Sequence, residues 1–365
     1  MNAELPRNRL TVLDKLKMGF YLLPLPIIIG WELLKSPFTN YGRSKTWKRV
    51  AVDATTFGLV RLLNRRPMRA ISPSTLAGYE AFMKQAKMDP VIEEIGEDAR
   101  LLWILGQRRT GRVLLYFHGG AFLYSAISSA PAFWNLLQRK LDSRGIQTDI
   151  ATLNYTLVPD AMFPVQLRQA VLSIQHLFTL GFKPGNIQLV GDSAGGALIH
   201  QVLSHILHPV EGVPKLALTS PFGGAYMMSP WTRLVDGEGS LLHANDGRGD
   251  VVTASIGKYW GSKVLDGMQP PAIPYLDAAS APADWLRGVD KCVRRVLISA
   301  GDLEFLRDEI VHYGKHVGEY LKDITIVVQE NGIHDDPLLD LLVGEKDLGS
   351  LTPKILDWLE EGFVG

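Results

Sequence analysis

The chain has 365 residues, 46% of them hydrophobic, which is ample for a large core and incompatible with a disordered chain. Its 38 Lys and Arg balance 38 Asp and Glu, an overall neutrality that argues against nucleic acid as a partner. The single cysteine, Cys292, excludes an internal disulfide and any zinc site built from several thiolates, and suits an intracellular setting, cytoplasmic or on an internal membrane.

Residues 18–34 read MGFYLLPLPIIIGWELL, with Glu32 as the one charge. The run is poor as a signal peptide, because its start carries acidic residues and no small-residue cleavage site follows. It is short for a transmembrane helix, and Pro24 and Pro26 would break one. An apolar flap over the main domain, a monotopic contact with a membrane and a true span are the three readings, in that order of preference. The proline pair predicts a bent element.

From about residue 89 the pattern alternates. Residues 90–95 and 101–105 read as strands around a turn, and 112–117 as a short buried strand ended by Gly119 and Gly120. A helix is expected over 131–141, a strand over 149–153, and a helix over 164–180 with Leu167, Val171, Ile174 and Phe178 on one face. Then come a strand at 187–190, a helix at 194–207 and a strand at 225–228, followed by a helix at 252–264. A strand at 294–299, a helix at 306–321, a strand at 324–328 and a closing helix at 353–363 complete the chain. Strands alternating with helices imply an α/β fold with a mostly parallel sheet covered on both faces. Residues 1–88 and the Gly-rich stretch from 231 to about 250 break the alternation. Both could lie over the carboxyl ends of the strands, where open α/β sheets place their ligands.

Ser193 stands in Gly191-Asp192-Ser193-Ala194-Gly195, a G-x-S-x-G between an expected strand and an expected helix. That context matters more than the motif, since a sharp turn there lifts a serine hydroxyl above the sheet edge. His118-Gly119-Gly120-Ala121 follows the strand ending at Phe117, so Gly119 and Gly120, with Ala194, could aim N–H groups at an oxyanion. Of nine histidines, His334 follows the last expected strand, where a loop can lower an imidazole onto the serine turn. His118 would orient its loop, His200, His205 and His208 lie behind the turn, and His312 with His316 lack a carboxylate to complete a metal site. The orienting acid should follow the strand at 294–299, as Glu304 or as Asp302.

The stretch from about residue 112 to the end resembles the hormone-sensitive-lipase-like branch of the α/β-hydrolases, in particular fungal esterases and steroid deacetylases. The resemblance rests on Tyr116-Phe117-His118-Gly119-Gly120-Ala121-Phe122, Asn154-Tyr155-Thr156, Phe163-Pro164, Gly191 to Gly196, Ser229-Pro230-Trp231, Pro274-Tyr275, Leu306-Arg307-Asp308-Glu309 and His334-Asp335. The family's usual Asp in D-x-L-R-D-E falls on Glu304, so the resemblance favours Glu304 over Asp302 as the acid. Its third glycine after the histidine is Ala121, and its D-Y-R is Asn154-Tyr155-Thr156.

The resemblance implies an α/β-hydrolase domain over 89–365, with an insertion at about 231–270 and a helical cap or membrane-associated segment over 1–88. It implies hydrolysis of an apolar carboxylic ester through an acyl-enzyme on Ser193, with His334 as base, Glu304 or Asp302 orienting it, and no metal or organic cofactor. Trp31, Phe38, Tyr226, Trp231 and Trp260 are candidate pocket walls. The alternative keeps the triad but releases, cyclises or condenses a polyketide-type intermediate of a fungal pathway. Peripheral membrane contact through residues 18–34 stays open, and nothing in the sequence sets an oligomeric state.

Overall fold

The computed structural model describes residues 10–106, 110–237, 239–247, 249–345 and 348–364. Eight strands form one sheet: β1 (Val91–Gly96), β2 (Ala99–Ile104), β3 (Val113–Phe117), β4 (Asp149–Asn154), β5 (Ile187–Asp192), β6 (Gly224–Met228), β7 (Val296–Gly301) and β8 (Ile324–Gln329). Their order is β1-β2-β4-β3-β5-β6-β7-β8. β1 and β2 pair antiparallel, as do β2 and β4, and every later neighbour is parallel.

Strands β3, β5, β6 and β7 are buried along their whole length, as parallel strands covered on both faces must be. Alternation sorts their side chains into two layers. Val113, Leu115 and Phe117 of β3 join a core with Val171 and Ile174 of helix Val165–Thr179, Leu198 and Val202 of helix Ala194–Leu207, and Ile310 of helix Arg307–Gly318. Leu114 and Tyr116 face the other way, onto Trp134 and Leu137 of helix Ala130–Ser143 and Ile355 and Leu359 of helix Leu351–Val364. Every strand and helix expected after residue 89 is present, with ends shifted by a few residues. The helix expected from 252 starts at Ala254, because Thr253 stays extended and its hydroxyl accepts the Ile256 N–H as an N-cap.

The first 88 residues, where described, are helical. Helices Val12–Tyr21 and Leu25–Lys35 flank a turn at Leu22–Pro24, which is the bend expected from the proline pair. Among the described residues no helix is long and apolar enough to cross a membrane. Helix Trp47–Leu62 is anchored to the body by charge. Arg49, fully buried, meets Asp53, Asp336 and Asp340, and Lys45 adds a second cation at Asp336. Burial opposes the guanidinium charge, but Asp336, Asp53 and Asp340 overcome it and hold Arg49 firmly cationic. Helix Thr75–Gln85 seats Tyr79 against β1 and β2, its hydroxyl donating to Trp103 O at 2.8 Å.

Candidate active site

Ser193 closes β5 and opens helix Ala194–Leu207 with φ 48° and ψ −115°, a region that non-glycine residues rarely enter. The turn is held from both sides: Ser193 N donates to Met228 O at 2.8 Å, and Trp231 N donates to Ser193 O at 2.9 Å. It also needs Gly195, where a Cβ would collide with Phe117 O at the end of β3.

The loop after β3 is likewise strained. Gly120, Ala121 and Phe122 all have positive φ (102°, 54° and 58°), and a Cβ on Gly120 would strike the Tyr124 carbonyl. Gly119 is committed elsewhere: its N–H donates to Asp192 Oδ1 at 2.9 Å, the same oxygen that accepts the Tyr116 hydroxyl at 2.5 Å. Gly119 is therefore not free to meet a ligand in this arrangement, which corrects its expected role and leaves Gly120 and Ala194 from the expected trio. His118 lies under the loop, stacked on Tyr155 with ring centroids 4.2 Å apart and its Nδ1 2.7 Å from Gly119 O. Burial lowers its pKa to about 4, so it is a neutral support.

His334 follows β8, and its Nδ1 lies 2.7 Å from Glu304 Oε1. Glu304 is fully buried; its other oxygen accepts from Ser229 Oγ at 2.9 Å and Gly301 N at 3.0 Å. Asp302, the alternative acid, has no such contact: its N–H donates to Gln329 O, its carbonyl accepts Arg307, and its Oδ1 has no partner among the described residues.

Two further carboxylates crowd the imidazole. Asp335 Oδ2 is 3.4 Å from His334 Nε2, and Asp335 N donates at 3.2 Å to the Ser229 hydroxyl, which itself donates to Glu304. The serine turn and the histidine loop are thus both held by residues 228–231, since Met228 and Trp231 bond Ser193 and Ser229 bonds Asp335. Asp250 accepts the His334 N–H on Oδ1 and the Phe305 N–H on Oδ2, both at 3.0 Å, so the Gly-rich segment ties the loop to the residue beside Glu304.

Burial works against the imidazolium, but Asp335, Glu304 and Asp250 reverse this and raise His334 to about 10. Burial pushes Asp335 well above the carboxylate range and Asp250 up to about 7, in each case against the pull of His334. Sequence reasoning assigns neither a role: Asp335 enters only as part of the His334-Asp335 motif, and an Asp in a Gly-rich loop carries no signal until the chain folds.

Of the expected wall residues, Trp231 and Trp260 come together beside the serine turn. Their ring centroids are 6.5 Å apart, and Tyr124, from the glycine loop, meets Trp260 edge-on at 5.8 Å. The other three expected walls are corrected. Tyr226 points into the opposite layer of the sheet, fully buried near Trp358 with its hydroxyl 3.0 Å from Ser299 Oγ, because alternate residues of β6 face opposite layers. Trp31 and Phe38 are 61% and 81% exposed and are not among the residues that line the cavity beside Asp250.

A cavity of about 490 Å³ does lie nearby, between the N-terminal helices (Glu32, Phe57, Arg61) and the Gly-rich segment (Asp246, Asp250, Thr253). Its Asp250 wall is one hydrogen bond from His334. Among the described residues no cluster of His, Cys, Asp and Glu is arranged to hold a metal. Cys292 is buried, and burial raises its thiol to about 11.

The model of a family described as having the alpha/beta hydrolase fold matches residues 114–337. The chain is 30% identical over 132 residues to an acetyl-hydrolase of Streptomyces hygroscopicus, across 36% of this chain and 40% of that protein. It is 35% identical over 191 residues to a carboxylesterase/phospholipase of Mycobacterium tuberculosis, across 52% of this chain and 39% of that protein. Both matches thus span well under two thirds of the relative. A crystal structure of an esterase from the bacterial hormone-sensitive lipase family shares the fold with a TM-score of 0.62 and 21% identity, over 87% of this chain and 99% of that one.

Proposed function

The chain belongs to the alpha/beta hydrolase family, in its hormone-sensitive-lipase-like part, and from that premise we propose that it hydrolyses a carboxylic ester through an acyl-enzyme on Ser193. The observation that carries the reading is the His334–Glu304 contact of 2.7 Å, in a loop whose Asp335 bonds Ser229, between the two residues that bond the Ser193 turn.

In this reading Glu304 accepts the Nδ1 proton of His334 and so presents Nε2 as the base. Nε2 takes the Ser193 hydroxyl proton as Oγ attacks the ester carbonyl. The oxyanion is met by the N–H groups of Gly120 and Ala194, while Gly119 secures Asp192 instead. The imidazolium then returns its proton to the departing alkoxide, and a water molecule, deprotonated in turn by His334, releases the acid. The carboxylates around His334 favour its cation, so kcat/KM is expected to rise toward alkaline pH as the free base appears. Trp231, Trp260 and Tyr124 offer an apolar wall for one side of the ester, and the match to an acetyl-hydrolase favours a short acyl group.

The test is turnover of p-nitrophenyl acetate and butyrate. Ser193→Ala should lower kcat by at least ~10³-fold with an unchanged circular dichroism spectrum. Retained turnover in that variant would sink the assignment.

A further inference from the structure

The neutral charge of the chain conceals a separation. Residues 1–70 hold 13 Lys and Arg against 4 Asp and Glu, which leaves 25 against 34 in the remaining 295 residues. One end of the sequence is therefore strongly cationic and the rest anionic, so overall neutrality does not exclude an electrostatic partner for the N-terminal part.

The same part is unusually greasy on its outside. Of the 20 exposed large hydrophobic side chains among the described residues, 11 lie between positions 12 and 47. Helix Leu25–Lys35 shows why. Leu25 and Ile28 lie over Gly58 of helix Trp47–Leu62, which is the packed side. Ile27, Trp31 and Leu34, spaced four and three residues apart, form a second apolar stripe that is 61–75% exposed. A helix with apolar stripes on two faces, its charges Glu32 and Lys35 paired with each other at 2.7 Å, needs an apolar partner on each of them. At 11 residues it is too short to cross a bilayer, since about 20 are needed. Phe20 and Leu23, before the turn, continue the exposed surface at 70% and 66%. The same N-terminal helices carry exposed Lys15, Lys17, Arg43 and Arg61, while Lys48 donates to Val343 O and Arg66 lies 3.6 Å from Asp14.

We propose that residues 12–47 dock in the plane of an anionic phospholipid bilayer, the apolar stripe entering the acyl boundary and the exposed cations meeting the headgroups. Charge complementarity selects this occupant: a second copy of the chain would bring the same excess of cations to the same face. The cavity beside Asp250 would then open near the membrane, since Glu32 in its wall lies on the docking helix. The inference does not depend on the ester-hydrolysis reading and is read without turnover.

The experiment is co-sedimentation of the full chain, in its Ser193→Ala form, with vesicles of phosphatidylcholine alone or mixed with phosphatidylserine. Binding should be at least ~10-fold stronger to the mixed vesicles and should weaken with salt. Ile27→Ser/Trp31→Ser/Leu34→Ser should reduce it ~10-fold or more, and Lys15→Glu/Lys17→Glu should reduce it while leaving the apolar stripe intact. Circular dichroism and thermal melting report whether each variant is folded. Absence of binding by the parent chain, or equal binding to both vesicle types, overturns the proposal. So does a stable dimer in light scattering that the triple substitution turns into monomer, since the stripe would then be covered by a second copy.

Discussion

Two buried clusters of carboxylates meet in the short stretch from His334 to Asp340, and they differ chiefly in their cation. Asp53, Asp336 and Asp340 surround Arg49, whose guanidinium holds its proton throughout the accessible pH range. Glu304, Asp335 and Asp250 surround His334, whose imidazole can release one. The first cluster can only join, and it fastens helix Trp47–Leu62 to helix Asp336–Leu342. The second holds a group that can give up and regain its proton, which is the property the proposed mechanism uses. On the proposed reading, similar acids in similar burial thus serve attachment in one place and chemistry a few residues away, according to the titration range of the base between them.

That contrast can be broken experimentally, and the largest effect is expected at the acid that touches the imidazole. Glu304→Gln should cut kcat/KM by about 10²–10⁴-fold, since the amide cannot favour the imidazolium or secure its tautomer. Steady-state kinetics with a circular dichroism control decide it; near-wild-type turnover would refute the role given to Glu304. Arg49→Met should act on stability instead, at about 3–5 kcal/mol, because three buried carboxylates lose their main counter-charge. Urea unfolding measures this, and a loss below about 1 kcal/mol would show that Lys45 alone satisfies the cluster.

Asp335→Asn should move the pH profile. Asp335 raises His334 by favouring its cation, so removing that charge lowers the imidazole pKa and keeps the neutral base present at lower pH. The acid limb of kcat/KM should shift down by about one unit or more, and an upward shift would contradict the assignment. Asp302→Asn should change least, within about 0.5 kcal/mol in both activation and unfolding free energy, since its carboxylate does not touch His334.

Much of this site was legible before folding. The glycines around Ser193 are dictated locally, because helix and strand can meet at that angle only if no Cβ intervenes at Gly195. His334 and the preferred acid, Glu304, were found from their positions after expected strands and from the family's spacing, and the fold brings those two together. The errors have a common origin. Tyr226 and Trp31 are aromatic and near the right places in sequence, but the face on which each emerges depends on what packs on the other side of its strand or helix. Gly119 was read as a donor because its N–H could reach an oxyanion, whereas Asp192, distant in sequence, holds that N–H.

The sequence by itself determined the order of elements, the strained turns at Ser193 and Gly120 and the bend at Pro24, since each follows from local sterics and short-range periodicity. Only the tertiary structure decided which carboxylate meets His334, how Arg49 is neutralised and which side of helix Leu25–Lys35 is left bare. These are contacts between residues tens to hundreds of positions apart. Burial and charge pairing act through space, so they have no value until the chain has closed around them.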